Sequence, residues 1–230
     1  AEVSTRAGRR YARPADGDPC AAARRLGARR AELGIELANR RRNRANGQVA
    51  ALPPGGIALH VAESFGNCPQ YIQTRASEPL ARLAAAPEPL PSLDAAASTQ
   101  IAAADTFFVA SAAAGGADIS HRGGRPGFVR VAGNRLTIPD FPGNRYFNTL
   151  GNLLLDPRSA LLFPDFTTGD LLHVSGTVEI DWHPPGGFQG AERLWHLDIT
   201  GAWRRRGAIP RRWSPPEPAP TTLATGRWAA

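Results

Sequence analysis

Along this chain, apolar and polar residues alternate in short runs far more often than they recur at helical spacing. Residues 32–37, 48–52 and 57–61 read as short strands, and Pro53-Pro54-Gly55-Gly56 is an emphatic turn between the last two. Residues 105–111 open a second group as a buried strand. Residues 118–122 alternate, the GGRPG run at 123–127 is turn chemistry, and residues 128–131 resume β-type side chains. Gly133-Asn134 signals a hairpin into a strand over 135–138. A helix is predicted over 146–155, where Phe147, Leu150, Leu153 and Leu154 share one face and Asp156-Pro157 ends it. Residues 160–163, 171–182 and 193–200 complete the strands. A run of strands with one helix between the fourth and fifth of the second group is barrel-like rather than doubly wound. The predicted class is mainly β with short helices, arranged as an antiparallel barrel.

The pattern also divides the chain. Residues 1–18 lack any hydrophobic period and read as a loose arm, with Asp18 and Pro19 placed to cap and open a short helix through Leu26. Residues 19–75 form a first, partial barrel-like half. Residues 76–98 are rich in Ala, Pro, Leu, Ser and Glu and read as a linker. Residues 99–200 form the second barrel, and 201–230 an irregular tail rich in Arg, Trp and Pro. The halves echo one another. Residues 19–66 and 143–199 share an order of helix, strand, Gly-bearing strand and closing strand, with Gly47-Gln48-Val49 matching Gly176-Thr177-Val178. The first half then corresponds to the latter portion of a barrel like the second.

Composition changes the picture only in places. The 230 residues suffice for one large domain or two small ones, and no apolar run approaches the ~20 residues that span a bilayer. The start of the chain is polar and Arg-rich with no apolar signal segment. The sequence contains no Met, as expected of a processed chain or of a piece of a longer one. Two cysteines, Cys20 and Cys68, exclude a disulfide framework and favour a reducing, cytoplasmic setting. Cys68 reads as a structural thiol rather than a nucleophile. The net charge of +7 comes with no Lys at all, which fits a GC-rich coding sequence better than selection for nucleic acid. Charge is the one argument for a nucleic-acid partner, since no zinc finger, ribonucleoprotein motif or helix-turn-helix is visible. No metal-ligand spacing, HExxH, P-loop or GxSxG elbow occurs either.

Candidate chemistry concentrates in two places. Around residues 118–131, a hydroxyl, an imidazole, a guanidinium and several glycines crowd one turn. Glycines let backbone N–H groups approach a ligand, and Arg offers a forked donor set suited to phosphate. An Arg-bearing hairpin with a solvated tip has the same composition. The run from Asn39 to Gly47 is either a solvated edge or an anion-binding ribbon, its Arg and Asn donors projecting from one strand face.

The runs SHRGGRPGFVRV, IPDFPGNRYFNTLGNLLLDPRSALLF and FTTGDLLHVSGTVEIDW, in that order, resemble the pyridoxamine 5'-phosphate oxidase-like FMN-binding split-barrel family, in its branch of predicted flavin-nucleotide-binding proteins. The resemblance runs from about residue 104 to 199 and more loosely back to about residue 12. It implies an antiparallel split β-barrel that holds FMN at the junction of two barrels. The cofactor-binding residues it implies are Ser120, His121 and Arg122, with Gly124, Pro126, Gly127 and Phe128 shaping the cradle. Asn144, Arg145, Asn148 and Thr149 would lie at the helix entrance, where the dipole favours phosphate. Arg41, Asn43 and Arg44 would complete the site from the first half. The oxidases themselves carry a Ser-Arg-Lys-type phosphate grip. Phe147-Asn148-Thr149 stands here instead, which separates this chain from that activity while leaving flavin binding in place.

His121 also reads as a hydrogen-bonded turn histidine, Asn148 and Asn152 as helix-capping groups, and Trp182 and Trp195 as core or rim residues. Flavins supply the redox chemistry, so no catalytic residue is assigned. The implied function is an FMN-dependent oxidoreductase with a small-molecule redox substrate or electron donor, working as a homodimer or an intrachain pseudo-dimer. A non-catalytic flavin carrier, and a cofactor-less structural or nucleic-acid-interacting remnant, are the alternatives.

Overall fold

In the computed structural model, residues 3–4, 25–54, 56–66, 68–143, 146–184 and 186–228 are described. The arm over 1–18 (apart from Val3 and Ser4), the helix opening at Asp18, Cys20, Asn144 and Arg145 lie outside the described residues. In chain order the elements are β1 Val3–Ser4, β2 Arg29–Glu36, β3 Arg41–Ala51, β4 Ala58–Gly66, β5 Ser77–Pro79, β6 Glu88–Leu90, α1 Ala95–Ala103, β7 Thr106–Ala113 and β8 Gly116–Gly123. There follow β9 Arg130–Ala132, β10 Arg135–Asp140, α2 Asn148–Leu155, β11 Arg158–Pro164, β12 Leu171–Asp181, β13 Arg193–Arg205, β14 Arg211–Trp213 and α3 Pro220–Leu223. No helix among the described residues is long and apolar enough to cross a membrane.

The second half is an antiparallel sheet ordered β8-β7-β11-β12-β13-β10-β9, with β6 also pairing β13. Its strands alternate as the sequence predicts: Leu172, Val174 and Val178 of β12 are buried while Ser175, Thr177 and Glu179 are exposed. The inward residues make the main core. Phe107 on β7 lies 5.1 Å from Phe163 on the neighbouring β11, and 6.2 Å from Trp195 on β13, ring centre to ring centre. β13 is two strands further along the sheet, so the sheet curls until its distant strands meet. Ile101 of α1 and Leu150 and Leu153 of α2 plug the interior. The ladder stays open between β8 and β9, giving an antiparallel split barrel rather than a closed one.

The first half is the sheet β1-β2-β3-β4. Leu33 and Ile35 of β2, and Leu37 just after it, bury themselves against the outer side of the barrel, meeting Phe108 of β7, Ile119 of β8 and Leu162 of β11. β7 is therefore apolar on both faces, Phe107 and Val109 inward and Phe108 outward.

The meanders β2-β3-β4 and β11-β12-β13 share one register. Laying Gly47 on Gly176 carries Arg29↔Gln48 onto Arg158↔Thr177 and Leu33↔Arg44 onto Leu162↔His173. Across the next ladder, Val49↔Leu59 falls on Val178↔Leu197, Gly47↔Val61 on Gly176↔Ile199, and Asn46↔Glu63 on Ser175↔Gly201. Both ladders slip at the glycine, between Asn46 and Gly47 and between Ser175 and Gly176. A Cβ on Gly47 would stand 2.0 Å from the His60 carbonyl oxygen, and one on Gly176 2.2 Å from that of Asp198, its counterpart. Neither backbone leaves room for a side chain.

Three segments differ from their sequence reading. The helix begins at Asn148 because Phe147 takes a left-handed conformation (φ 55°) that breaks the helical path before it. The stretch read as a linker contains β5, which pairs β14, and β6, which pairs β13. In the tail, β13 continues to Arg205, and β14 and α3 follow. The three-residue strands SEP and EPL carry prolines and no apolar alternation, so composition conceals them.

Candidate functional site

The open seam of the barrel is where the two halves enclose a cleft. β3 of the first half supplies one wall, β8 and β10 the other, and the start of α2 the end. Antiparallel pairing fixes which β3 side chains reach it. Residues directly opposite in such a ladder project to the same side, and Ile35 and Leu33, buried on the barrel, stand opposite Arg42 and Arg44. Arg42, Arg44 and Asn46 therefore face the barrel.

Arg44 is held fast. Its guanidinium donates to both carboxylate oxygens of Asp118 on β8 at 2.8 Å, with both side chains about nineteen-twentieths buried. Asn46 and the Thr149 hydroxyl add bonds of 3.4 Å to the same carboxylate. Burial pushes the Asp118 carboxyl above its usual range, and Arg44 opposes that push. Arg122 is similarly engaged. It pairs with Asp140, which also accepts from Arg193 at 2.6 Å.

Arg42 is different. Among the described residues its guanidinium reaches only the His121 carbonyl oxygen, at 3.5 Å, and its Nε is buried without a partner. Burial, then the nearby Arg44 and Arg122, lower its pKa to about 10. An unpaired, partly desolvated cation crowded by like charges is a place where an anion gains most. His121 lies beside it, 4% exposed, with both ring nitrogens buried and unpartnered and its ring edge-on to Phe108 at 5.8 Å. Burial, then Arg42, Arg122 and Arg75, hold the imidazole neutral, well below its usual pKa. A neutral imidazole offers one donor and one acceptor, and neither is used.

The end wall is the N-terminus of α2. Phe147 makes no side-chain cap bond, and Asn148 and Thr149 line the cleft there, at the end of the helix where backbone N–H groups have no intrahelical acceptor. The enclosed volume is about 110 Å³. That accommodates a compact group such as a phosphate, whereas whole ligands fill roughly 300–1,000 Å³. A larger ligand would extend through the mouth, where Tyr146 and Phe147 are exposed.

Of the residues singled out in the sequence, Ser120, His121, Arg122, Phe128, Asn148, Thr149 and Arg44 line this one cleft. Arg41 and Asn43 do not, because they project from the opposite, exposed face of β3. Gly124 lies under Phe128, whose ring a Cβ there would meet at 2.4 Å. Pro126 is exposed, and Gly127 is tied to Ala102 of α1 and to Trp228 by backbone bonds. Sequence reasoning missed Arg42, Tyr71, Asp140 and Arg193. Trp195 is a core residue, and Cys68 is a half-buried free thiol on the cleft wall. Among the described residues no group of three or more His, Cys, Asp or Glu is placed to hold a metal ion.

No protein-family model matches the chain, and no curated protein matches it. Solved structures similar to it include HupZ of Group A Streptococcus, at 12% identity over 48% of this chain and 92% of that one, with a TM-score of 0.38. A FAD-binding protein from Mesorhizobium loti is 15% identical over 50% of this chain and 96% of that one, with a TM-score of 0.37. A candidate pyridoxamine 5'-phosphate oxidase from Lactobacillus delbrueckii is 14% identical over 50% of this chain and 98% of that one, with a TM-score of 0.39.

Proposed function

We propose that the cleft binds FMN and that the protein is a cytoplasmic flavin-dependent oxidoreductase acting on a small-molecule redox partner. One observation carries the reading: the Ser120-His121-Arg122 corner and the start of α2 line one cleft, in which Arg42 has no ion-pair partner among the described residues.

The residues present fit a flavin phosphate. Arg42 and the α2 N-terminus would hold its oxygens, Ser120 and Asn148 would add neutral donors, and the unpartnered His121 nitrogens suit a polar ligand group. The exposed rings of Tyr146 and Phe147 at the mouth suit a flat aromatic system. When bound, the flavin supplies one- and two-electron chemistry. The protein's part is to position the phosphate end, keep His121 neutral and exclude water from the buried wall. Having no Lys and Asn148-Thr149 at the helix entrance, the chain is not assigned the pyridoxamine phosphate oxidase reaction.

A second reading, a flavin carrier without turnover, is favoured by His121: its imidazole is held neutral and so is not poised to exchange protons near pH 7.

Titration of apo-protein with FMN, followed by flavin fluorescence, tests the binding. Replacing Arg42 with Leu removes a charge-assisted contact worth about 1.5–3 kcal/mol, so Kd should rise roughly tenfold to a hundredfold. Arg41→Leu, on the opposite face, should leave it unchanged. Wild-type protein that ignores FMN, or equal losses in the two variants, would overturn the reading. Turnover with reduced nicotinamides and common acceptors separates enzyme from carrier.

A further inference from the structure

The shared register of the two meanders makes the chain its own control. Positions correspond one to one: Arg42 with Leu171, Arg44 with His173, Asn46 with Ser175 and Phe65 with Trp203. The pairing register is the same at each of these positions, down to the slipped glycine. What differs is the chemistry.

In the first meander Arg44 lies over the Phe65 ring at 5.3 Å. In the second, His173 stacks on Trp203 with ring centres 3.5 Å apart and planes 9° from parallel. Burial, chiefly, lowers the His173 pKa to about 3, so that ring is neutral where its counterpart is a cation. Leu171 stands where Arg42 would, and packs against the second apolar cluster. The strand fold therefore requires neither arginine. Both occur in the meander whose face looks onto β8 and α2.

The join between the halves is itself two-fold in character. Leu33 and Leu162 are corresponding residues, and both lie in the one cluster that unites the halves. A patch that meets its own equivalent is the mark of an isologous interface. Such an interface generates two symmetry-related sites. At the second, this chain presents Leu171, His173 and Ser175, none of them a cation: Leu171 packs against the joining apolar cluster and His173 is stacked on Trp203.

We infer that the chain carries two meanders of two-fold kinship in one polypeptide, that only the first presents an anion site, with Arg42 as the residue that makes it specific for an anion, and that it takes one anionic ligand per chain without a second copy. Every wall of the cleft comes from the same chain, β3 from one half and β8, β10 and α2 from the other. The ligand's identity rests on the flavin reading, but the single, self-contained site does not.

The test combines light scattering with titration of the full chain, using FMN and inorganic phosphate as separate probes and thermal stabilisation as the readout for phosphate. One equivalent bound by protein of monomer mass is the expected result. Arg42→Leu, which installs the residue of the other meander, should raise the Kd for either probe about tenfold or more. Phosphate binding without FMN binding overturns the flavin reading and leaves this inference standing. Two equivalents per chain, binding confined to a dimeric fraction, indifference to Arg42→Leu, or no binding of either probe would each overturn it.

Discussion

Replacing Asp118 with Asn tests whether the two halves are joined through charge. Asp118 and Arg44 are 3% and 4% exposed, and the two 2.8 Å bonds between them run from one half to the other. The amide keeps the shape and one acceptor but removes the charge, so Arg44 is left buried and uncompensated. Breaking such a pair from one side costs about 3–5 kcal/mol. For a chain of this size each kcal/mol moves the melting point by about 2–4 °C, so the variant should melt roughly 6–20 °C lower. Circular dichroism in the far and near ultraviolet follows the change. A second variant keeps the test sharp. Asp118→Leu combined with Arg44→Met removes both charges, and apolar replacement of a whole buried pair is neutral or better by about 1–4 kcal/mol. It should therefore recover most of the loss. If Asp118→Asn melts within about 2 °C of the parent, the guanidinium is satisfied by water and the clasp does not join the halves. If the double variant melts as low as the single one, the loss came from packing and the electrostatic account fails.

Gly47→Ala and Gly176→Ala should each destabilise by about 1–3 kcal/mol in urea unfolding, because the new methyl meets a backbone carbonyl that the ladder holds in place. Gly151→Ala, in mid-helix with nothing within 4 Å of the added carbon, should instead stabilise by about 0.5–1 kcal/mol. His173 should show the resonances of a neutral imidazole down to about pH 4 and titrate near its lowered pKa of about 3. The unfolded chain protonates histidine near 6.5, so between these values it binds more protons than the native state. Stability is then lost as pH falls through that window, by at most about 1.4 kcal/mol per pH unit from this residue. Protonation of His173 above pH 5 would remove the charge contrast with Arg44.

The strands of the barrel are legible because each buries one face, and the hairpin turns carry Gly and Asn where the backbone needs them. The choice between Arg42 and its neighbours was not legible by that route. β3 reads RRNRANGQVAA and has no apolar face of its own over its first half, so its phase is not written in its own residues. A slip of one residue exchanges Arg42 and Arg44 for Arg41 and Asn43. Charge pairing was hidden as well, since Asp140, which engages both Arg122 and Arg193, lies far from either in sequence. Yet a signal existed. On β12 the phase is plain, with Val174, Gly176 and Val178 buried and Ser175, Thr177 and Glu179 exposed on the other face. Carrying that phase back through the match of Gly47 to Gly176 puts Arg42, Arg44 and Asn46 on one side and Asn43 and Ala45 on the other. The repeat thus groups those three side chains on one face, but the matching face of β12 is its more exposed one, so it is the packing of β2 on the barrel that turns this face of β3 to the cleft.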